Sequence, residues 1–260
     1  MNKQPIGLFD SGVGGTSIWK EIHRLLPNEH SIYLADSINA PYGPKGKDKI
    51  IELSIKNTEL LLEKNCKLIV VACNTATTNA IQVLRKKFNV PFIGIEPAIK
   101  PAALNTTTKA IGILATKGTL SSALFHHTTS LYTSGITIVE QIGEGIVQRI
   151  ENGNLESVEM EFALKSYLKP MLDANIDYLV LGCTHYSYLI PKLITLLPNH
   201  VKIIDSGLAV AKQTQSILEQ HKILNTDLLK PKNEFYINLK TTEVMKTLLG
   251  QKFNVDYLEF

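Results

Sequence analysis

The sequence predicts an α/β protein made of two similar parallel-sheet domains that face each other across a cleft. Short β-branched runs alternate with longer segments of helical periodicity along the whole chain, which is typical of parallel strands joined by crossover helices. A weak internal repeat then divides the chain into two halves. Each half has an apolar strand that opens on glycine and a later apolar strand that ends in cysteine.

Composition and charge restrict the class of protein. The 260 residues suffice for one large α/β domain or two smaller ones. The formal net charge is only +3, and the lysines are scattered rather than gathered with aromatic side chains, so we expect no nucleic-acid partner. No apolar run approaches the roughly 18 residues needed to span a bilayer, so we expect no membrane association.

The cellular compartment is predicted from the N-terminus and the cysteines. Residues 1–12 enter a predicted core strand at once, so we expect no signal peptide. Three cysteines, odd in number and widely spaced, do not make a disulfide framework. We therefore expect a cytoplasmic protein with reduced thiols.

The elements follow from local periodicity. Runs rich in β-branched residues predict strands at residues 6–9, 31–35, 68–72, 90–95, 110–114, 137–140, 178–181 and 201–204, with a possible edge strand at 234–239. Apolar residues at helical spacing predict helices at residues 17–26, 50–62, 80–88, 208–224 and 241–249.

Two prolines, Pro97 and Pro101, flank a short connection and mark a domain boundary. A return of the chain near residues 205–207 would let the C-terminal helices complete the first unit. We therefore expect a first domain of residues 1–97 plus 207–260, which carries Cys73, and a second domain of residues 98–206, which carries Cys183.

The repeat places Cys73 and Cys183 at corresponding positions. Val70-Val-Ala-Cys-Asn-Thr in the first half matches Val180-Leu-Gly-Cys-Thr-His in the second. In open α/β sheets, ligands bind beyond the carboxyl ends of the strands, where both cysteines are predicted to lie. A lone strand-end cysteine is more often structural than catalytic. The matching positions, each followed by a polar pair, favour a functional site.

Two thiols at such a site suit one kind of chemistry. A thiol has an ordinary pKa of about 8.5, so it can act as a base near neutrality while its protonated form still donates. Thiols on opposite faces of a bound stereocentre would invert it, because one removes a proton as the other delivers one. Asn74 is predicted to cap the helix that includes Thr75, and free N–H groups there would favour a thiolate and a bound carboxylate. His185, which follows Thr184, is close enough in sequence to tune the second thiol.

The other polar turns allow more than one interpretation. The turn from Asp10 to Thr16 has glycines but lacks the spacing of a nucleotide-binding loop, so Asp10 and Ser11 are suited either to an ammonium group or to orienting a thiol. The turn at Pro41, Tyr42 and Gly43 is either a carboxylate site or an ordinary loop. Thr116 and Thr119 occupy the turn of the second half that matches the glycine-rich turn.

Two further features are interpreted as unrelated to catalysis. Glu151 lies near the end of a predicted helix, where an acid gains nothing from the helix dipole, so by itself it is interpreted as a surface residue. No close pair of cysteines or histidines has the spacing of a zinc site, so we expect no metal.

Taken together, four ordered motifs resemble those of the glutamate racemase family, within the aspartate/glutamate racemase superfamily. They are Phe9-Asp-Ser-Gly-Val-Gly-Gly15, Ala35-Asp36 with Pro41-Tyr-Gly43, Val71-Ala-Cys-Asn-Thr-Ala-Thr77, and Leu181-Gly-Cys-Thr-His-Tyr186. Their order and spacing cover roughly residues 6 to 210. Ser187 stands where the family commonly has proline, and Thr16 replaces a usual aliphatic residue.

The resemblance implies racemization of L- and D-glutamate without a cofactor, supplying D-glutamate for peptidoglycan. It implies that Cys73 acts on the D-enantiomer and Cys183 on the L-enantiomer, assisted by Asp10 and His185. It loosely aligns Glu151 with an acid near the second thiol. The substrate contacts that it implies are Asp10, Ser11, Tyr42, Gly43, Asn74, Thr75, Thr184 and His185. Family members are typically homodimers.

Two alternatives stay open. An aspartate or hydantoin racemase would use the same chemistry, and one methylene of pocket length changes affinity by only about 1–3 kcal/mol. A non-catalytic amino-acid-binding protein on the same scaffold would be expected to have lost one thiol, whereas both are present.

Overall fold

The strands of the computed structural model, which describes residues 3–227 and 230–260, form two separate sheets. In chain order the strands are β1 (Ile6–Asp10), β2 (Ser31–Ala35), β3 (Leu68–Val71), β4 (Phe92–Gly94), β5 (Ala110–Ala115), β6 (Thr137–Ile142), β7 (Tyr178–Gly182), β8 (Lys202–Ile204), β9 (Asn233–Ile237) and β10 (Asp256–Tyr257). The first sheet has the order β10-β9-β2-β1-β3-β4, and the second has the order β6-β5-β7-β8.

Helices connect these strands. They are α1 (Thr16–Leu25), α2 (Lys47–Glu63), α3 (Asn74–Lys87), α4 (Ile99–Asn105), α5 (Lys117–Leu120), α6 (Ala123–Tyr132), α7 (Ile146–Glu151), α8 (Val158–Asp173), α9 (Ile190–Leu196), α10 (Gly207–Gln220) and α11 (Glu243–Leu249). Short 3₁₀ helices cover Ser37–Asn39 and Thr184–Leu189. Within the described ranges, no helix has both the length and the apolar character to cross a membrane.

The two sheets repeat one arrangement, which explains the internal repeat in the sequence. Strand β1 pairs in parallel with β3, and β5 pairs in parallel with β7. Every strand pairing in both sheets is parallel. The predicted fold class, two parallel-sheet α/β domains, is therefore confirmed. In both sheets the glycine-opened strand and the strand that precedes the cysteine are neighbours, so their carboxyl ends lie side by side.

The predicted strands are all present, with boundaries displaced by a few residues. The pattern of burial explains their sequences: β1, β2, β3 and β7 are buried along their whole length and read as continuous apolar runs. Strand β6 is an edge strand with exposed and half-buried residues. The two-residue β10 was not predicted, because it is too short to show any periodicity.

The C-terminal part of the chain packs on the first sheet. Strand β9 pairs with β2, and α10 lies against α1, where a Cβ placed on Gly207 would meet Glu21. Trp19 of α1 makes edge contacts with Phe235 and Phe253, with ring centroids 4.7 and 5.0 Å away. The division into residues 1–97 plus 207–260 and residues 98–206 stays a prediction.

The burial of α10 predicts how much that helix contributes to stability. Leu218 is fully buried in the main core, whereas Leu208, on the same helix, is 44% exposed. We expect Leu218→Ala to lower the free energy of unfolding by about 2–5 kcal/mol, because it leaves a cavity. We expect Leu208→Ala to change it by less than about 0.5 kcal/mol. Urea denaturation of both variants is the measurement, and equal losses would contradict this packing.

Candidate active site

The carboxyl ends of strands from both sheets meet at a small cavity of about 10 Å³. That volume is close to the space of a single water molecule. All but three of the predicted site residues line it: Ser11, Pro41, Tyr42, Gly43, Cys73, Asn74, Thr75, Thr116, Cys183, Thr184 and His185. Asp10, Thr119 and Glu151 lie outside the lining and contact residues that form it. The structure therefore brings both thiols to one place.

Cys73 lies at the start of α3 and caps it. Its sulfur accepts the N–H of Ala76 at 3.4 Å and lies 3.7 Å from the hydroxyl of Ser11. The prediction that Asn74 caps this helix is wrong by one residue, since Asn74 is already helical. Burial raises the pKa of Cys73 well above its usual value, and the nearby carboxylate of Asp10 raises it further. The site thus favours the protonated thiol at Cys73.

Asn74 has a side chain suited to a ligand. It is 3% exposed, and neither its amide oxygen nor its amide nitrogen has a hydrogen-bond partner within residues 3–227 and 230–260. Buried polar atoms in folded proteins are almost always paired. Because Asn74 also lines the cavity, its amide group is available to a polar ligand there.

Asp10 organises the glycine-rich turn from behind the cavity. Its carboxylate accepts the backbone N–H groups of Ser11 at 2.7 Å and Gly15 at 2.5 Å, and the hydroxyl of Thr184 at 3.2 Å. Burial raises the pKa of Asp10, and the charge of His185 and the N–H of Gly15 offset this only in part. Asp10 therefore fixes the backbone beside Cys73 and contacts the loop that follows Cys183.

Cys183, His185 and Glu151 form a chain of contacts on the other side of the cavity. The Cys183 sulfur lies 3.8 Å from Nδ1 of His185, and Nε2 lies 2.6 Å from Oε1 of Glu151. At that distance Nε2 carries the proton and donates it to the Glu151 carboxylate. A protonated Nε2 has no lone pair left to accept a hydrogen bond, so the N–H of Gly14, 3.2 Å away, contacts Nε2 without donating to it. Burial by itself lowers the pKa of His185, but the interactions with Cys183 and Glu151 outweigh burial and raise it well above its usual value. An imidazolium at His185 would donate from Nδ1 to the Cys183 sulfur.

Glu151 is not the surface residue that its position near a helix end suggested. Its side chain is 10% exposed and accepts hydrogen bonds from three different segments. The backbone N–H of Val13 donates to Oε1 at 2.7 Å, the hydroxyl of Ser37 donates to Oε2 at 2.8 Å, and His185 donates to Oε1. The earlier interpretation failed because none of these donors is near Glu151 in sequence.

Glycines in the first turn allow this packing. A Cβ placed on Gly12 would overlap the carboxyl group of Glu151, and one placed on Gly14 would overlap the ring of His185. The absence of side chains at these two positions therefore lets the turn after β1 lie directly against the groups that surround Cys183.

The loop that carries Tyr42 is fixed by a buried network. The Tyr42 hydroxyl donates to Oδ2 of Asp36 at 2.5 Å and accepts from Asn57 at 3.0 Å. The other oxygen of Asp36 accepts from Asn39 at 2.8 Å and from Asn238 at 2.6 Å. Burial, and then the charge of Asp36, raise the pKa of Tyr42 well above its usual value, so its hydroxyl stays protonated.

Threonine hydroxyls join the two sheets at the edge of the cavity. Thr75 Oγ1 lies 2.8 Å from Thr116 Oγ1 and 3.3 Å from Thr119 Oγ1. Thr116 caps α5 by accepting the N–H of Thr119. Thr116 and Thr119 thus face the helix of Cys73.

A larger cavity of about 290 Å³ lies next to the small one. The two share Pro41, Gly43, Thr116 and Val147 as walls. Val147 was not among the predicted site residues, because a single apolar residue in a helix carries no signal that separates a cavity wall from a core position. Ser37 was also missed, although it directly follows Asp36, the first residue after β2.

Within the described parts of the chain, no three His, Cys, Asp or Glu side chains are grouped as a metal site requires. The three cysteines are free and buried. Burial is the main reason that the pKa of Cys66 is raised to about 12, and Cys66 lies beside Gly7, away from the cavity lining.

Comparison with known proteins decides the family. The sequence profile of the Asp/Glu/Hydantoin racemase family matches residues 6–214. The chain belongs to this family. A glutamate racemase of Herpetosiphon aurantiacus is 44% identical over 86% of this chain and 89% of that relative. The resemblance to glutamate racemases, enzymes of the isomerase class, is therefore confirmed.

Solved racemase structures have the same fold. A glutamate racemase isoform from Bacillus anthracis superposes with a TM-score of 0.89 at 29% identity, covering 100% of this chain and 98% of that one. The Escherichia coli glutamate racemase, in complex with L-glutamate and the activator UDP-MurNAc-ala, gives a TM-score of 0.86 at 35% identity, covering 98% and 97%. The likeness thus extends over the whole two-sheet architecture.

The packing of the glycine-rich turn predicts the effect of adding one methyl group. Gly12→Ala should lower racemase activity by about tenfold or more, because the new Cβ displaces the Glu151 carboxylate and with it His185. The matched control is Gly207→Ala, where the Cβ would meet the flexible side chain of Glu21 at 3.0 Å and lie in ordinary contact with Asp205 at 3.5 Å. Initial rates and melting temperatures of both variants are the measurement. Full activity in a folded Gly12→Ala protein would contradict this geometry.

Proposed function

We propose that this protein is a glutamate racemase that needs no cofactor and moves the α-proton between the thiols of Cys73 and Cys183. The observation that carries the proposal is that these cysteines, which follow corresponding strands of two similar sheets, line one cavity. The glutamate racemases among the relatives and the solved structures support glutamate as the substrate.

The substrate is held by polar groups at the cavity, some of which have no hydrogen-bond partner within the described residues. The backbone N–H groups of Asn74 and Thr75 lie in the first turn of α3, where no carbonyl of the helix reaches them. Such groups bind a carboxylate and stabilise the negative charge that develops when the α-proton leaves. The amide of Asn74 and the hydroxyl groups of Ser11, Thr75 and Thr184 complete the set of polar contacts.

The reaction needs one base and one acid on opposite faces of the α-carbon. With L-glutamate, the Cys183 thiolate removes the α-proton and the Cys73 thiol donates its own proton to the other face. The product is D-glutamate, with Cys183 now protonated and Cys73 a thiolate. With D-glutamate the same steps run in reverse. No atom is gained or lost, and only the two sulfurs change protonation.

The surroundings of the thiols support this direction for L-glutamate. Burial and the Asp10 carboxylate raise the pKa of Cys73, so Cys73 holds a proton to donate. His185 lies beside Cys183, and its raised pKa favours the imidazolium, whose charge stabilises a neighbouring thiolate. Glu151 orients His185 by accepting from Nε2. Asp10 and His185 therefore act on the two thiols, one each.

The small cavity requires movement before substrate can bind. A space of about 10 Å³ does not admit glutamate, so the walls formed by the two sheets must separate. The adjacent 290 Å³ cavity, which shares four wall residues, is the approach to it. Closure around the substrate then excludes water from the thiols.

Two competing functions are separated by one assay. Purified protein without added pyridoxal phosphate should abolish the optical rotation of L-glutamate and leave that of L-aspartate nearly unchanged. A faster loss with aspartate would assign the other substrate of the family. Binding of glutamate with no loss of rotation would indicate a non-catalytic binding protein.

We further propose that the protein is a cytoplasmic homodimer whose D-glutamate supplies peptidoglycan synthesis. The support is the resemblance to glutamate racemases. Depletion of the protein should make growing cells dependent on added D-glutamate, and sedimentation at micromolar concentration should give twice the 28.8 kDa mass of the chain.

Replacing either thiol should stop racemization. Cys73→Ser and Cys183→Ser should each lower kcat/KM for glutamate by about a hundredfold or more, because one of two required proton carriers is lost. Each variant should still release HCl from one enantiomer of 3-chloroglutamate. There the remaining thiolate takes the α-proton, the C–Cl bond breaks and chloride leaves.

Cys66→Ser is the matched control, because Cys66 is buried but does not line the cavity. We expect its racemase activity to stay within about threefold of the original. Near-normal racemization by Cys183→Ala would exclude the two-thiol mechanism.

Isotope labelling tests whether two separate bases act. In D₂O, the α-carbon of newly formed D-glutamate should carry deuterium before the remaining L-glutamate does. The reason is that the proton taken by Cys183 is not the one that Cys73 delivers. Proton NMR of both pools at early times is the measurement. Equal early labelling of substrate and product would indicate a single shared base.

A further inference from the structure

Three groups within the described residues donate to Glu151. Ser37 alone among them lies in a loop of the first sheet and donates through its side chain. It lies two residues after the end of β2, begins a short 3₁₀ helix and is buried. Its hydroxyl donates to Oε2 of Glu151 at 2.8 Å. Glu151 ends α7, which follows β6 of the second sheet. This hydrogen bond therefore crosses from one sheet's loops to the other's.

Glu151 needs such a donor for an electrostatic reason. The C-terminal end of a helix carries partial negative charge, which disfavours a carboxylate there. Little solvent reaches the side chain, which is 10% exposed. A carboxylate in this position must be stabilised by hydrogen bonds from outside its helix. The donors are the Val13 N–H and His185 on Oε1 and the Ser37 hydroxyl on Oε2.

The two carboxylate oxygens of Glu151 accept hydrogen bonds from different donors. Oε1 holds His185, whose Nδ1 faces the Cys183 sulfur at 3.8 Å. If Oε2 lost its donor, the carboxylate would be held through Oε1 alone, and its plane could twist about the Cγ–Cδ bond. His185 would then be less firmly oriented toward Cys183. The Ser37 hydroxyl thus restrains the carboxylate plane of Glu151, which the Val13 N–H does not do alone because it binds the same oxygen as His185.

We propose that Ser37 is a positioning residue for the Cys183 half of the reaction, acting through Glu151 and His185 when the two sheets close on the substrate. The inference rests on the proposed racemase function. Ser37 does not line the cavity and does not touch the thiols, so its effect is transmitted only through the carboxylate. Cys73, on the other side, has its own contacts with Ser11 and Ala76.

Racemization alone cannot show this one-sided effect. L- and D-glutamate have equal free energies in water, so kcat/KM must be equal in the two directions for every variant. Chloride release from 3-chloroglutamate avoids the restriction, because each α-enantiomer requires only the base on its own side. Cys183 acts on the L-form and Cys73 acts on the D-form.

The test compares Ser37→Ala with the original enzyme on both α-enantiomers. We expect kcat for chloride release from the L-form to fall about tenfold, the effect of losing one hydrogen bond to a charged group, with KM nearly unchanged. Release from the D-form should change by less than about twofold. Racemization of glutamate should fall about tenfold in kcat/KM, and Ser37→Thr, which keeps the hydroxyl, should restore most of it.

Ser54→Ala is the matched control. The Ser54 hydroxyl is also buried and belongs to the first domain, but it donates to the Ile50 carbonyl of its own helix at 2.7 Å and contacts neither Glu151 nor the cavity lining. Ser54→Ala should therefore leave the ratio of the two chloride-release rates unchanged. If Ser37→Ala lowers both releases equally, or leaves racemization unchanged, the positioning role is wrong. If the original enzyme does not racemize glutamate, the proposed function itself fails, which is a separate result.

Discussion

The carboxylate of Glu151 receives a backbone N–H from the turn after β1, a hydroxyl from the loop after β2 and the imidazole of His185. Two of these donors belong to the loops of the first sheet and the third belongs to those of the second. The geometry around Cys183 depends on this junction, because a buried acid at a helix end is stabilised by the hydrogen bonds that it accepts. The missing side chains at Gly12 and Gly14 make room for it.

The two halves are alike in backbone and unlike in chemistry. Cys73 follows β3 and caps a full helix, and Cys183 follows β7 and begins a 3₁₀ helix without a side-chain cap. Around Cys73 a carboxylate and deep burial favour the thiol, whereas beside Cys183 an imidazole with a raised pKa supplies positive charge. A racemase must treat mirror-image substrates with groups that are not mirror images. Duplicated strands bring the sulfurs together, and different neighbours give each sulfur a different electrostatic environment.

Much of this arrangement could be predicted from the sequence, and the limits have physical causes. The periodicity of apolar residues located the strands and long helices, because each buries one face or one whole run in a core. The position of a cysteine after each corresponding strand located both thiols. Glu151 was misjudged, because its surroundings are set by residues more than a hundred positions away, such as Val13 and Ser37. Helix-end rules describe the acid in water, and here little water reaches it.

The capping of α3 shows a finer limit. Asparagine is a better general capping residue than cysteine, so local preference favoured Asn74. The structure uses the Cys73 sulfur instead, which places the sulfur at the positive end of the helix and directs the amide of Asn74 into the cavity. The local preference for asparagine as the cap is not followed, because the Cys73 sulfur and the Asn74 amide both lie at the same small cavity. Such a requirement becomes visible only when the second sheet is in place.

Ser187 illustrates how one departure from the family pattern is accommodated. Proline at this position would restrict the loop after His185 through its fixed backbone torsion. Ser187 lacks that restriction, but its hydroxyl donates to Oδ2 of Asp205 at 2.8 Å, and Oδ1 of Asp205 accepts the N–H of Gly207 at 3.1 Å. The loop is thereby tied to the start of α10, which packs on the first sheet. A hydrogen bond thus replaces the restriction of a proline ring, and it connects the loop that holds His185, through Asp205, to a helix of the first sheet.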